Sequence, residues 1–73
     1  METFSVRLKL LRKEYKVKQA ELAEYLNISV RGYQCYEYGK GYPDVPGLVA
    51  LADYFNVSLD YLMGRTERRG INR

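Results

Sequence analysis

The sequence has no histidine, no tryptophan and a single cysteine, Cys35, among its 73 residues. One cysteine cannot form an internal disulfide, and without histidine the chain lacks the Cys/His sets that hold structural zinc. A Cys/His or Ser/His catalytic pair is excluded for the same reason, and no glycine-rich phosphate loop takes its place. We therefore expect a domain that is not an enzyme, binds no metal, cofactor or small molecule, and is stabilised by packing or by a second subunit.

Long hydrophobic runs are absent as well. Charged residues recur every few positions, so no segment approaches the roughly 18 consecutive apolar residues of a membrane span. The first residues are charged where a signal peptide would be apolar. Together with the lack of disulfides, this pattern predicts a cytoplasmic protein with no membrane partner. A chain of this length supports one small hydrophobic core.

The net positive charge of the whole chain comes from its C-terminal residues. The net charge is +3, and the four arginines after residue 64, opposed there by Glu67 alone, account for all of it. The rest of the chain is balanced but polarised, because residues 7–18 hold six bases and one acid while residues 44–60 hold three acids and no base. The bases of residues 7–18 either contact a polyanion or form the solvated face of a helix. Residues 65–73 are predicted to form a basic, flexible tail.

Apolar residues recur at spacings of three and four, the period of a helix packed on one face, in five short segments. No alternating run of β-branched residues occurs, so a sheet is not expected. The predicted fold is therefore all-α, a bundle of five short helices. The residues that this pattern assigns to the core are Leu8, Leu11, Leu22, Ala23, Leu26, Leu48, Leu51, Phe55 and Leu62.

The helix ends are marked by residues with special backbone preferences. Asn27 and Asn56 stand where the second and fourth helices should stop, because asparagine tolerates left-handed backbone angles. Ser29 and Ser58 follow as N-caps of the third and fifth helices. Pro46 suits the first turn of the fourth helix.

The second and third predicted helices are separated by a tight turn. Ala23 lies four positions before Asn27, and a small side chain there allows two helix backbones to approach closely. Residues 19–38 therefore predict a helix-turn-helix, in which the second helix protrudes and fits a DNA major groove about 12 Å wide.

At this point the sequence resembles the Cro and lambda-repressor-like helix-turn-helix family of small bacterial and phage regulators, also called the xenobiotic-response-element type. The resemblance covers residues 4 to 65 and implies a DNA-binding domain over residues 1–64. It is carried by RLKLLR at residues 7–12, QAELA at residues 19–23, YEYGK at residues 36–40, Pro43, and LADYFNVSLDYL at residues 51–62.

The resemblance also implies which residues meet DNA. Its base-reading positions correspond to Val30, Arg31, Gln34 and Cys35. Its phosphate-contacting positions correspond to Lys18, Gln19, Ser29, Tyr38 and Lys40. Arginine suits guanine and glutamine suits adenine by bidentate hydrogen bonds. The family further implies a structural ion pair between Arg12 and Glu37.

Three residues depart from the family pattern. Val30 replaces a glutamine common in phage repressors and offers no hydrogen bond. Gly32 lowers the helix propensity of the third helix by about 1 kcal/mol relative to alanine. Tyr33 stands where the family buries isoleucine or valine, so its phenol oxygen needs a partner.

The function implied is a sequence-specific, double-stranded-DNA-binding transcriptional regulator, a nucleoid-associated repressor that binds a two-fold operator as a homodimer. Tyr54 and Tyr61 are candidate anchors of the dimer. An open alternative is a protein-interaction module, such as an antitoxin-like partner with secondary DNA binding. The eight tyrosines also suggest stacking on single-stranded bases, but Tyr33 and Tyr36 are spaced to face the core.

Overall fold

The computed structural model describes residues 3–70, and over that range the chain forms five α-helices and no strand. The predicted all-α class is therefore confirmed for the described residues. Every helix in this part of the chain is too short or too polar to cross a membrane. The helices are α1 (Phe4–Glu14), α2 (Gln19–Tyr25), α3 (Val30–Glu37), α4 (Val45–Tyr54) and α5 (Leu59–Leu62).

One apolar cluster lies between the helices. Seven of the nine predicted core residues are buried, and the other two, Leu26 and Leu48, are half-buried and pack against the cluster. Helical periodicity finds these residues because it marks the face that each helix turns inward. The cluster also includes Phe4, Tyr33, Ala52, Val57 and Tyr61.

Left-handed residues and side-chain caps set the helix ends. Asn27 and Asn56 have φ angles of 59° and 54°, as the sequence predicts, and Lys16 adopts 56° after α1, which the sequence does not indicate. The Ser29 and Ser58 hydroxyls accept hydrogen bonds from the N–H groups three residues later. Each serine thus satisfies a backbone donor that a helix start leaves without an intrahelical acceptor.

Arg7 does not lie on the solvated face of α1, contrary to the expectation for the basic cluster. Its side chain is 1% exposed. The guanidinium lies 4.0 Å from the centre of the Tyr61 ring, and it donates to the carbonyl oxygens of Tyr61 at 2.9 Å and Thr66 at 2.7 Å. Burial of this charge is possible because these carbonyls and the Glu67 carboxylate replace its water.

Residues 65–70, predicted as part of a flexible tail, fold back onto the helices. The Arg69 carbonyl accepts from the Ser58 N–H at 2.7 Å. The Arg69 guanidinium donates to both Glu14 carboxylate oxygens, at 2.6 and 2.8 Å. These contacts hold the segment against α1 and α5. Residues 71–73, the remainder of the predicted tail, lie outside the described residues.

Tyr54 and Tyr61, the two candidate dimer anchors, both contact other side chains of the same chain. Tyr61 is 9% exposed, beneath Arg7, and its hydroxyl accepts from Arg69 Nε at 3.2 Å. Tyr54 is half-buried and packs edge-on against Tyr25, with ring centres 4.9 Å apart. Tyr61 is therefore a core residue, and its prediction as a surface anchor is wrong.

Candidate nucleic-acid interface

The turn between α2 and α3 is closed by backbone hydrogen bonds. Asn27 turns the chain in the left-handed region, and the Ile28 N–H then donates to the Ala23 carbonyl at 2.9 Å. Ala23 is 2% exposed, as expected of a small residue where two helices approach. α2 and α3 thus form the helix-turn-helix that residues 19–38 predict.

The first turn of α3 faces solvent. Val30 is 41% exposed and Arg31 is also exposed, whereas Gln34 and Cys35 are half-buried. Of the four predicted base-reading residues, the structure therefore leaves the two at the start of the helix most open to a partner.

Gly32 fits a close approach at the start of α3. Its N–H donates to Ser29 Oγ at 3.0 Å. A Cβ added at this position would lie 3.1 Å from the same oxygen, which is tighter than an ordinary contact. A side chain at this position would therefore require Ser29 Oγ to shift by a few tenths of an ångström.

The five predicted phosphate contacts occupy the ends of the two helices. Lys18 is the N-cap residue of α2, Gln19 is the first residue of that helix, and the Ser29 side chain caps α3. Tyr38 and Lys40 follow the last turn of α3, and Tyr38 is 62% exposed. Lys18, Ser29 and Lys40 are exposed as well, while Gln19 is half-buried. Four of the five side chains are therefore exposed to solvent, and among these four the Ser29 hydroxyl also accepts from the Gly32 N–H.

Gln19 and Gln34 contact each other across the two helices. Gln34 Nε2 donates to Gln19 Oε1 at 3.0 Å, and Gln19 Nε2 donates to Glu37 Oε1 at 3.1 Å. A predicted phosphate contact and a predicted base reader thus belong to one hydrogen-bonded chain. The sequence does not indicate this contact, because the two residues are 15 positions apart and lie on different helices.

Arg12 and Glu37 form the ion pair that the family resemblance implies. Arg12 Nε donates to Glu37 Oε2 at 2.5 Å, and the second guanidinium nitrogen NH2 donates to Oε1 at 3.2 Å. The Glu37 side chain is 1% exposed. A bidentate pair with one partner fully buried fixes the orientation of α1 against α3.

The Tyr33 hydroxyl finds its partner in the same carboxylate. It donates to Glu37 Oε2 at 2.6 Å, four residues along the helix. Burial and the hydrogen bond to Glu37 raise the pKa of Tyr33, so the phenol remains the proton donor. The spacing of four is the one signal in the sequence that points to this contact.

Glu37 remains ionised in this setting. Burial by itself raises its pKa, but the hydrogen bonds from Arg12 and from its other two donors outweigh burial and hold the pKa below its ordinary value. The carboxylate is therefore an acceptor only. Among residues 3–70 no group of three or more potential metal ligands lies together.

This geometry agrees with a family match that spans most of the chain. Residues 8–62 match the Helix-turn-helix family. The chain belongs to this family.

Relatives and solved structures extend the likeness. The chain is 41% identical over 59 residues to the cryptic phage CTXphi transcriptional repressor RstR of Vibrio cholerae, covering 81% of this chain and 53% of the repressor. A transcriptional regulator from Listeria innocua superposes with a TM-score of 0.84 and 36% identity, covering 90% of this chain and 62% of that one. The P22 c2 repressor, in a crystal structure with synthetic operator 9T, superposes with a TM-score of 0.81 and 26% identity, covering 90% of this chain and 100% of that one. The chain spans about half the length of the curated relatives it matches.

Proposed function

We propose that this helix-turn-helix protein is a sequence-specific transcriptional regulator that binds double-stranded DNA in the cytoplasm, on the nucleoid, and acts as a repressor. The observation that carries the proposal is the exposure of Val30 and Arg31 at the start of α3, the second helix of the helix-turn-helix. A helix presented in this way fits the major groove.

The chemistry of the exposed residues supports this assignment. Arg31 carries the donor fork that matches guanine O6 and N7, and Val30 offers a methyl surface to thymine. Lys18 and Lys40 flank the two helices with positive charge and contact phosphates without reading sequence. Occupying a promoter in this way blocks transcription without any catalytic group.

The protein binds its operator as a homodimer in this proposal. One recognition helix supplies few base contacts, and a second, linked half-site multiplies the specificity. The half-sites are then centred about 34 Å apart, one turn of the double helix.

Selection of bound sequences from a random duplex library, at a fixed salt concentration, tests the proposal. The expected result is an enriched site with two-fold symmetry and half-sites about one helical turn apart. Enrichment of a single half-site would contradict the homodimer but not sequence-specific DNA binding. No enrichment, together with recovery of one stoichiometric protein partner from the native cell, would replace the proposal with a protein-interaction module.

A further inference from the structure

Two hydrogen bonds link Glu37 to Gln19 and Gln19 to Gln34, and the donor and the acceptor of each are determined by Glu37. Because the Glu37 carboxylate can only accept, the Gln19 amide must turn an N–H group toward it. Gln19 then presents its oxygen to Gln34, and Gln34 must in turn use an N–H group for this contact. The charge at the end of α3 therefore fixes the orientation of both amides.

This orientation determines what Gln34 has left for a partner. One of its two N–H groups is used by Gln19, so the side chain retains one donor and its whole carbonyl oxygen. Adenine presents an acceptor, N7, next to a donor, the N6 amino group, in the major groove. Guanine presents two acceptors, N7 and O6, which a single free donor cannot satisfy.

We infer that Glu37 is a positioning residue for base readout, which acts through Gln19 to hold Gln34 in the orientation that prefers adenine over guanine. The inference rests on the proposed DNA-binding function and adds a specificity determinant to it. Without the Gln19 contact, the Gln34 amide is free to reverse and to present both N–H groups to guanine.

The chain of contacts is stable enough to play this role. Arg12 and Tyr33 also donate to Glu37, so the carboxylate is held from three directions and is not free to rotate toward solvent. Gln19 is half-buried at the start of α2. A preorganised amide spends less free energy on ordering when it binds than a freely rotating one does.

The test compares base preferences in the random-library selection for five forms of the full chain. Gln34→Ala identifies the base pair that Gln34 reads. Gln19→Met keeps the length of the side chain and the Arg12–Glu37 ion pair but removes the amide. Glu37→Gln removes the fixed acceptor, and Lys18→Ala is the matched control, an exposed residue next to Gln19 that takes no part in the chain of contacts.

The wild-type protein is expected to enrich adenine over guanine at the Gln34 base pair by about fivefold to 150-fold, the range of one bidentate contact. Gln19→Met and Glu37→Gln should bring this ratio close to one and leave the preference at the Arg31 base pair unchanged. Lys18→Ala should weaken binding to all sequences with the adenine-to-guanine ratio intact. Thermal melts of each variant verify that it is folded, and Gln19→Met decides the outcome if Glu37→Gln does not fold.

Three results would overturn the inference while leaving the proposed function in place. These are a wild-type preference for guanine at the Gln34 base pair, a Gln34→Ala variant with unchanged preferences at every position, and an adenine-to-guanine ratio that Gln19→Met leaves intact. A wild-type selection without any enriched sequence would instead remove the proposed function, and the inference would be rejected with it.

Discussion

Glu37, in the last turn of α3, accepts hydrogen bonds from Arg12 of α1 through both of its carboxylate oxygens. The two helices are thereby fixed to each other at a buried site. Because the same carboxylate also accepts from Tyr33 and Gln19, the ion pair links the core to the proposed DNA-binding surface.

Breaking this pair from one side is expected to cost more than neutralising both partners. Arg12→Met leaves a buried carboxylate without its counter-charge and should lower the free energy of unfolding by about 3 kcal/mol. The double variant Arg12→Met/Glu37→Gln should lose clearly less, since the new amide oxygen still accepts from Tyr33. Urea unfolding of both single variants and the double variant checks this, and losses that simply add would contradict it.

The Tyr33 hydroxyl should contribute to stability through its bond to Glu37. Tyr33→Phe keeps the ring in the core and removes only the donor, so a loss of about 1 to 3 kcal/mol is expected for a hydrogen bond to a charged acceptor. Tyr36→Phe, a half-buried ring three residues away, is the matched control and should change stability by less than about 0.5 kcal/mol. Equal effects of the two substitutions, measured by urea unfolding, would refute the assignment.

Stability should fall in acid because of Glu37. Its pKa is lower in the folded chain than its ordinary value, so its contribution is present above the unfolded pKa of about 4.3 and is lost as the pH falls through the folded pKa. Unfolding free energies measured from pH 6 to pH 2 should therefore decline less in Glu37→Gln than in the wild type. Glu14→Gln is the control, because the hydrogen bond from Arg69 also lowers the pKa of Glu14. Since Glu14 is exposed, the unfolding free energy of this variant should still decline in acid as it does in the wild type.

Residues 65–70 should stabilise the domain rather than act as a tail. A chain that ends at Gly64 loses the Thr66 carbonyl and the Glu67 carboxylate, which both accept from Arg7. The Arg7 guanidinium is buried and would lose two acceptors. The unfolding free energy of the shortened chain should therefore fall by about 2 kcal/mol or more. A chain that ends at Gly70 is the control, and thermal melts that place the two chains at the same temperature would exclude the expected role.

Arg31 and Lys40 should differ in how they affect DNA binding. Arg31→Ala is expected to cost about 1 to 3 kcal/mol on the selected operator and to relax the preference at one base pair per half-site. Lys40→Ala should weaken operator and random DNA about equally and reduce the salt dependence of binding by about one counterion. Fluorescence anisotropy titrations at several salt concentrations separate these outcomes. An Arg31→Ala variant that weakens both DNAs alike would show that Arg31 contacts phosphate.

Helix boundaries could be predicted from the sequence because they depend on local chemistry. Asn27 and Asn56 end their helices by adopting left-handed backbone angles. Ser29 and Ser58 start the next helices by accepting from an N–H group only three residues away. The inward face of each helix follows from its period, which is why the leucines of the core are predicted correctly.

Contacts between distant segments could not be predicted in the same way. Arg7 shares the inward face of α1 with Phe4, Leu8 and Leu11. From the sequence alone an arginine is expected at the surface, because the acceptors that would allow its burial are not known. Those acceptors are backbone carbonyls 54 and 59 residues away. The contact between Gln19 and Gln34 likewise depends on the packing of two helices.

The chain contains the same turn twice. After α2 and after α4, an alanine carbonyl accepts from the apolar residue that follows a left-handed asparagine, at 2.9 Å from Ile28 and 3.0 Å from Val57. The turn geometry by itself therefore does not distinguish the two helix pairs. Val30 and Arg31 at the start of α3 are exposed, whereas Ser58 at the start of α5 donates its hydroxyl and its N–H to the carbonyls of Arg68 and Arg69. Exposure of the helix that follows the turn therefore separates the proposed DNA-binding surface from a helix that only supports the fold.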